Sequence, residues 1–247
     1  MADLFGQGDF NVRLDWGPIG AMATQAVVAV IVDVLGFSTS VTVAVERGMH
    51  VFPYRWTGVR AVQFAATHDA VLAVGRLEAT KEAHSLRPHS RRPGFWPVKR
   101  SRVWFCRRRT GRRSRRRSKG DSSVALGCLR SARAVAEWLV PAVEAERSIA
   151  VIAAGERWSY DTSLRPALED HLGAGAILSA LVALGHGDGF SPEAWAAAAL
   201  FDASPGSLRE RMHDCVGGRE LTSKGFRDDV DVAADLNSSS VVPVLTD

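Results

Sequence analysis

The chain alternates between compact apolar runs and amphipathic stretches punctuated by glycine and proline. Its most continuous run, residues 27–32 (VVAVIV), meets a carboxylate at Asp33, turns through Gly36 and reopens at Ser38 and Thr39 into a second apolar stretch. A β-branched run this unbroken predicts a strand covered on both faces rather than one half exposed to water. The residues after it predict a tight loop and a helix start, with Ser38 as N-cap and the first-turn N–H groups open to an anionic oxygen. Asp33 then stands at the carboxyl end of a central strand, where open α/β sheets place their ligands. The structural alternative is that Asp33 only caps the turn.

Along the rest of the chain, residues 10–14 predict a first strand, stopped by Trp16-Gly17-Pro18, and residues 50–54 another that Pro53 places at a sheet edge. A short helix over 59–66 and a strand over 70–74 come next. Between about residues 84 and 117 the periodicity is lost among prolines and arginines. It returns with a strand at 123–126, a helix over 132–140 and a strand at 149–154 that runs into Gly155-Glu156-Arg157. A long helix over 166–184 has Pro166 near its first turn, where the missing N–H does little harm. Helices over 192–201, 208–216 and 228–236 precede a last strand at 241–245. Strands alternating with helices at this spacing predict a layered α/β sheet, in a single domain over residues 1–247 with no internal repeat.

Composition changes that picture in one place. A chain of 247 residues, 46% hydrophobic, can bury one sizeable core. Its apolar runs fall short of the roughly 20 residues of a spanning helix, and no signal-peptide pattern opens it. Three cysteines without a C-x-x-C pair argue against a disulfide framework or a structural zinc, and for a reduced, cytoplasmic protein. The net charge of +4 is misleading: twelve of the 31 basic residues fall between Lys99 and Lys119 with no acidic residue among them. The remaining 19 face 27 acidic residues, so the rest of the chain is an ordinary acidic domain interrupted by an aberrant Arg-rich segment at about 99–119.

Four blocks then carry a resemblance: VVAVIVDVLGFSTS at 27–40, AAGERW at 153–158, LRPALEDHLGAGAI at 164–177 and GGRELTSKGFRDDVDVAADLNSSSVVPV at 217–244. In order and spacing the chain resembles the 2-phosphosulfolactate phosphatase family, magnesium-dependent enzymes of coenzyme M biosynthesis and their bacterial relatives. The resemblance implies a three-layer α/β/α sandwich with a mixed sheet. It also implies hydrolysis of a small anionic phosphoester to the hydroxy acid and phosphate, with Mg²⁺ as cofactor. Mg²⁺ takes hard oxygen ligands, so Asp33, Glu156, Glu169 and Asp170 are the expected catalytic carboxylates, with Asp33 and Glu169 as metal ligands. Any of the four could instead be the general base. Glu169 and Asp170 are neighbours on a helix and point about 100° apart, which argues against both reaching one metal. Ser38, Thr39 and Arg157 are the expected substrate contacts. The chain departs from the family pattern at Gly36, where an arginine is usual, and at Gly75-Arg76-Leu77-Glu78, where Gly-Glu-Arg is usual.

The Arg-rich segment replaces an apolar strand and an Asn-Gly-Thr or Asn-Gly-Ser loop of the family. Such runs arise when GC-rich coding sequence is read out of frame. Taking the third base of each codon with the first two of the next, Trp104-Phe105 forces Val, Phe105-Cys106 permits Leu, Thr110 forces Asn, Asp, His or Tyr, and Gly111 forces Gly, Arg or Trp. The shifted product can be written Val-Leu-Pro-Ser-Pro-Asn-Gly-Ser-Ala, a strand and then the missing loop. Compensating frame changes near Arg100 and Arg117 are the hypothesis this supports. Unpaired arginines do not fill a buried strand, so residues 103–117 are expected to be solvated and poorly ordered, leaving a gap in the fold.

Two rival readings stand beside this one. The arginines would bind polyanions incidentally and without sequence preference, so no specific nucleic-acid partner is expected. A catalytically inactive fold relative is the other. The expected partner is a small anionic phosphorylated substrate, with no membrane; a homo-oligomer is compatible with the sequence. Arg157 is as readily a surface ion-pair partner; His171, one residue past the acidic pair, is a candidate acid but more often such a side chain faces solvent; the 185–189 glycine cluster reads as a turn, Cys128 and Cys215 as core thiols, and Trp138 and Trp195 as packing anchors.

Overall fold

The VVAVIV run folds as expected: Val28–Val32 is a strand, and Val28, Val30 and Val32 are buried. The computed structural model describes residues 4–54, 59–68, 70–73, 102–106, 122–204 and 208–245, with the backbone alone at 54, 71, 72 and 102–106. In chain order the strands are β1 (Val12–Trp16), β2 (Val28–Val32), β3 (Val51–Tyr54), β4 (Ala70–Ala73), β5 (Arg102–Cys106), β6 (Ser123–Gly127), β7 (Ile149–Ala153), β8 (Glu156–Arg157) and β9 (Leu164–Arg165). The helices are α1 (Gly17–Thr24), α2 (Phe37–Glu46), α3 (Val59–Thr67), α4 (Ala132–Glu144), α5 (Leu168–Ala183), α6 (Pro192–Asp202), α7 (Leu208–Asp214), α8 (Val216–Ser223) and α9 (Arg227–Ala233).

The main sheet runs β1-β7-β2-β6, parallel throughout. Every residue of β7 is buried, the mark of a strand covered on both faces. One face is packed with Val28, Val30, Val32, Ile149 and Val151 against Leu172, Ile177 and Leu178 of α5 and Leu139 of α4. On the other face Ala150 and Ile152 join Ala26 in a smaller cluster. The fold is α/β, a parallel sheet flanked by helices in the manner of a three-layer sandwich. Among the described residues, antiparallel pairing is confined to the β8–β9 hairpin and to the bridge between Ala125 and Val244. No helix among the described residues is long and apolar enough to cross a membrane.

The structure corrects several expectations. Gly17 does not simply end a strand but opens α1, with Pro18 in its first turn. The expected helix over 208–216 is α7 and ends at Asp214, and α8, which was not expected, starts after Cys215, whose Sγ accepts the Gly218 N–H and caps it. The expected last strand shrinks to the Ala125 bridge, flanked by Leu126 N–H to the Pro243 carbonyl and Leu245 N–H to that of Val124. Pro243 has no N–H with which to extend the ladder.

The largest correction concerns residues 103–106. They leave no gap: β5 is the central strand of a second parallel sheet, β3-β5-β4, with Pro53 on edge strand β3 as expected. Val103, Trp104, Phe105 and Cys106 precede the arginine run and are apolar, mostly β-branched or aromatic, which suits them to a strand. The arginines from Arg107 on, and Gly75 to Glu78, lie outside the described residues.

Candidate active site

Asp33 follows β2 at the carboxyl edge of the main sheet, half-buried, and its carbonyl accepts N–H bonds from Gly36 (3.4 Å) and Ser38 (3.1 Å). The N-cap of α2 is Gly36, not Ser38 as expected. Ser38 is the second residue of the helix, where its hydroxyl donates to the Ile31 carbonyl at 2.9 Å and accepts the Asp33 N–H at 3.1 Å. Thr39 Oγ1 donates to the Val34 carbonyl at 2.6 Å. Both side chains are fully buried and lock the turn that presents Asp33. The Asp33 carboxylate folds back over Gly36, where a Cβ would overlap its Oδ1, so a side chain at this position would push the carboxylate aside.

Glu169 and Asp170 occupy the first turn of α5 and are each only 3% exposed. Their adjacent positions send them to different elements. Asp170 turns toward the sheet: its Oδ1 accepts the Val34 N–H at 2.7 Å and its Oδ2 the Gly155 N–H at 2.9 Å. Burial, and after it the neighbouring charge of Asp33, raises its pKa well above the ordinary aspartate value, against the pull of those two N–H groups. Glu169 turns toward the start of α8, where a Cβ on Gly217 would overlap its Oε1. Beside it lies the Cys215 thiol, pushed up to about 12 by burial and by the Glu169 charge.

Glu156 begins the β8–β9 hairpin opposite Arg165 and is half-buried. Arg157 is exposed, and its Nη1 donates to the Thr162 carbonyl within the hairpin at 2.7 Å. The hairpin also carries Trp158 stacked on Tyr160, ring centroids 5.6 Å apart, with the Arg165 guanidinium 5.7 Å from the Trp158 ring. His171, one residue beyond the acid pair, is half-buried edge-on to Trp16 at 5.5 Å, and burial lowers its pKa.

The structure thus gathers Asp33, Glu169 and Asp170 at one end of the sheet, with the Glu156 hairpin springing from Gly155 beside them. What the sequence did not reveal is the company these acids keep: the Val34 and Gly155 amides, Gly217 and the Cys215 thiol. Two of these are backbone groups, which carry no letter of their own. Among the described residues no three His, Cys, Asp or Glu side chains form a group that could hold a metal ion. The donor chemistry of Asp33 and Glu169, hard carboxylate oxygens, nevertheless suits Mg²⁺, which draws most of its ligands from water and substrate.

A family model described as 2-phosphosulpholactate phosphatase matches residues 19–247. No curated protein matches the chain.

Proposed function

Because the chain belongs to the 2-phosphosulpholactate phosphatase family, we propose that it is a cytoplasmic, magnesium-dependent phosphoric monoester hydrolase. Its substrate is a small anionic phosphoester of the 2-phosphosulfolactate kind, and its products are the hydroxy acid and phosphate. The observation that supports this reading best is the convergence of Asp33, Glu169 and Asp170 at the carboxyl edge of the main sheet, where α/β folds bind ligands.

A phosphate monoester is itself anionic, and carboxylates alone repel it. Asp33 and Glu169 would hold Mg²⁺, which when bound neutralises the phosphoryl oxygens and withdraws charge from phosphorus. Glu156 accepts a proton from the attacking water. The water oxygen bonds to phosphorus as the bond from phosphorus to the ester oxygen breaks, and the proton taken up by Glu156 passes to the departing oxygen, giving the hydroxy acid and phosphate and restoring the Glu156 carboxylate. The first turn of α2, fixed by Ser38 and Thr39, holds Asp33 in place, and Arg157 offers an anion contact at the rim.

Phosphate release from a panel of small phosphorylated acids, with and without Mg²⁺, tests the proposal. Turnover that requires Mg²⁺ and falls at least about a hundredfold in D33N is the expected result. Turnover of none of the panel by the wild-type chain would favour the catalytically inactive relative.

A further inference from the structure

The main-sheet ladder between β2 and β7 closes with the Ala154 N–H donating to the Val32 carbonyl at 2.8 Å. Beyond it the two chains part, one into the Asp33 turn and the other into the hairpin that starts at Glu156. The N–H groups of Val34 and Gly155 have no strand to bond, and the two oxygens of Asp170 take them instead, at 2.7 and 2.9 Å. Val34 directly follows Asp33, and Gly155 directly precedes Glu156. One buried carboxylate is therefore tied to the backbone neighbours of Asp33 and Glu156, the two acids that the proposed function gives to metal binding and proton transfer.

We propose that Asp170 is a positioning residue: it sets the separation between the Asp33 turn and the Glu156 hairpin and touches neither substrate nor metal. At 3% exposure with one N–H on each oxygen, it is shielded from a phosphate arriving from solvent. A carboxylate suits this place because it accepts on both sides. An asparagine has one acceptor oxygen and one NH₂, so it can serve one amide and must leave the other unpaired.

The inference rests on the phosphatase reading for its kinetic arm only. D170N and D170S are compared with wild type by amide hydrogen exchange at Val34 and Gly155, by the Asp33 carboxyl ¹³C resonance, and by kcat and KM. Expected are faster exchange at one or both of these amides, a shifted Asp33 resonance, and kcat lower by about a hundredfold with KM within about twofold, since a misplaced group costs rate more than binding. A fall in kcat with both amides still protected overturns the proposal, because Asp170 would then act in the chemistry itself. Unprotected amides with unchanged kcat overturn it too. So does loss of the folded state in both variants, since the carboxylate would then be holding the fold and not the site. Should the wild-type chain turn over nothing, the phosphatase reading falls, and the amides and the Asp33 resonance alone decide this one.

Discussion

Cys215 accepts the Gly218 N–H at 3.3 Å and keeps its thiol against Glu169, with its pKa at about 12. At pH 8 it therefore carries almost no thiolate, and iodoacetamide treatment with peptide mapping is expected to leave it unmodified until the protein unfolds. The raised value also gives a sign. An unfolded thiol loses its proton near 9 while the folded one holds it to about 12, so unfolding releases a proton between these values and stability falls as pH rises through that window. Thermal melts from pH 8 to 11 should show a steeper decline for wild type than for C215A, which itself loses the cap and about 1 kcal/mol. Gly217 is the second sensitive residue. In G217A the new methyl displaces the Glu169 carboxylate, and a loss of about 1–3 kcal/mol in urea unfolding with at least tenfold lower turnover is expected.

At the scale of elements, α7 and α9 are joined by charge. Asp231 meets His213 at 3.0 Å and also pairs with Arg209, whose second nitrogen reaches Asp235 at 2.8 Å. Burial pulls the Asp231 pKa up, but His213 and Arg209 together outweigh it and the result is a lowered value. Stability from this group is present above the ordinary aspartate pKa and is lost as pH falls through the folded value, so D231N should flatten the acid limb of the unfolding curve. At neutral pH the same change is expected to cost under about 1 kcal/mol, because the pair is partly open to water. Elements of this kind differ in how plainly the chain announces them. β2, β6 and β7 are runs of apolar residues too short for helices and were legible at once. α1 (GPIGAMAT) has no polar residue before its last position to set a period, and the break between α7 and α8 is capped by a cysteine where serine or aspartate is the usual signal. The acids of the site were legible as residue types. Their geometry was not, because it depends on backbone amides brought together only by the sheet.

For the whole molecule, the arginine segment decides what the charge does. Replacing residues 103–117 by the frame-shifted reading removes eight arginines and turns the net charge from +4 to −4. The restored chain is expected to leave heparin at lower salt, to melt at higher temperature, and to show the greater phosphatase activity of the two. Equal melting temperature and activity would mean that the fold tolerates the arginines as they stand. A different consequence comes from β7, which lies between β1 and β2 although the chain makes it long after both, with Val12 and Val28 each in register with Ile149. On the ribosome the first two strands must wait, unpaired with each other, until more than half of the polypeptide has emerged. Only then can the centre of the sheet be inserted and α5 close over it. Refolding should accordingly be slow and concentration-sensitive, and a nascent chain stalled before residue 149 should remain open to protease.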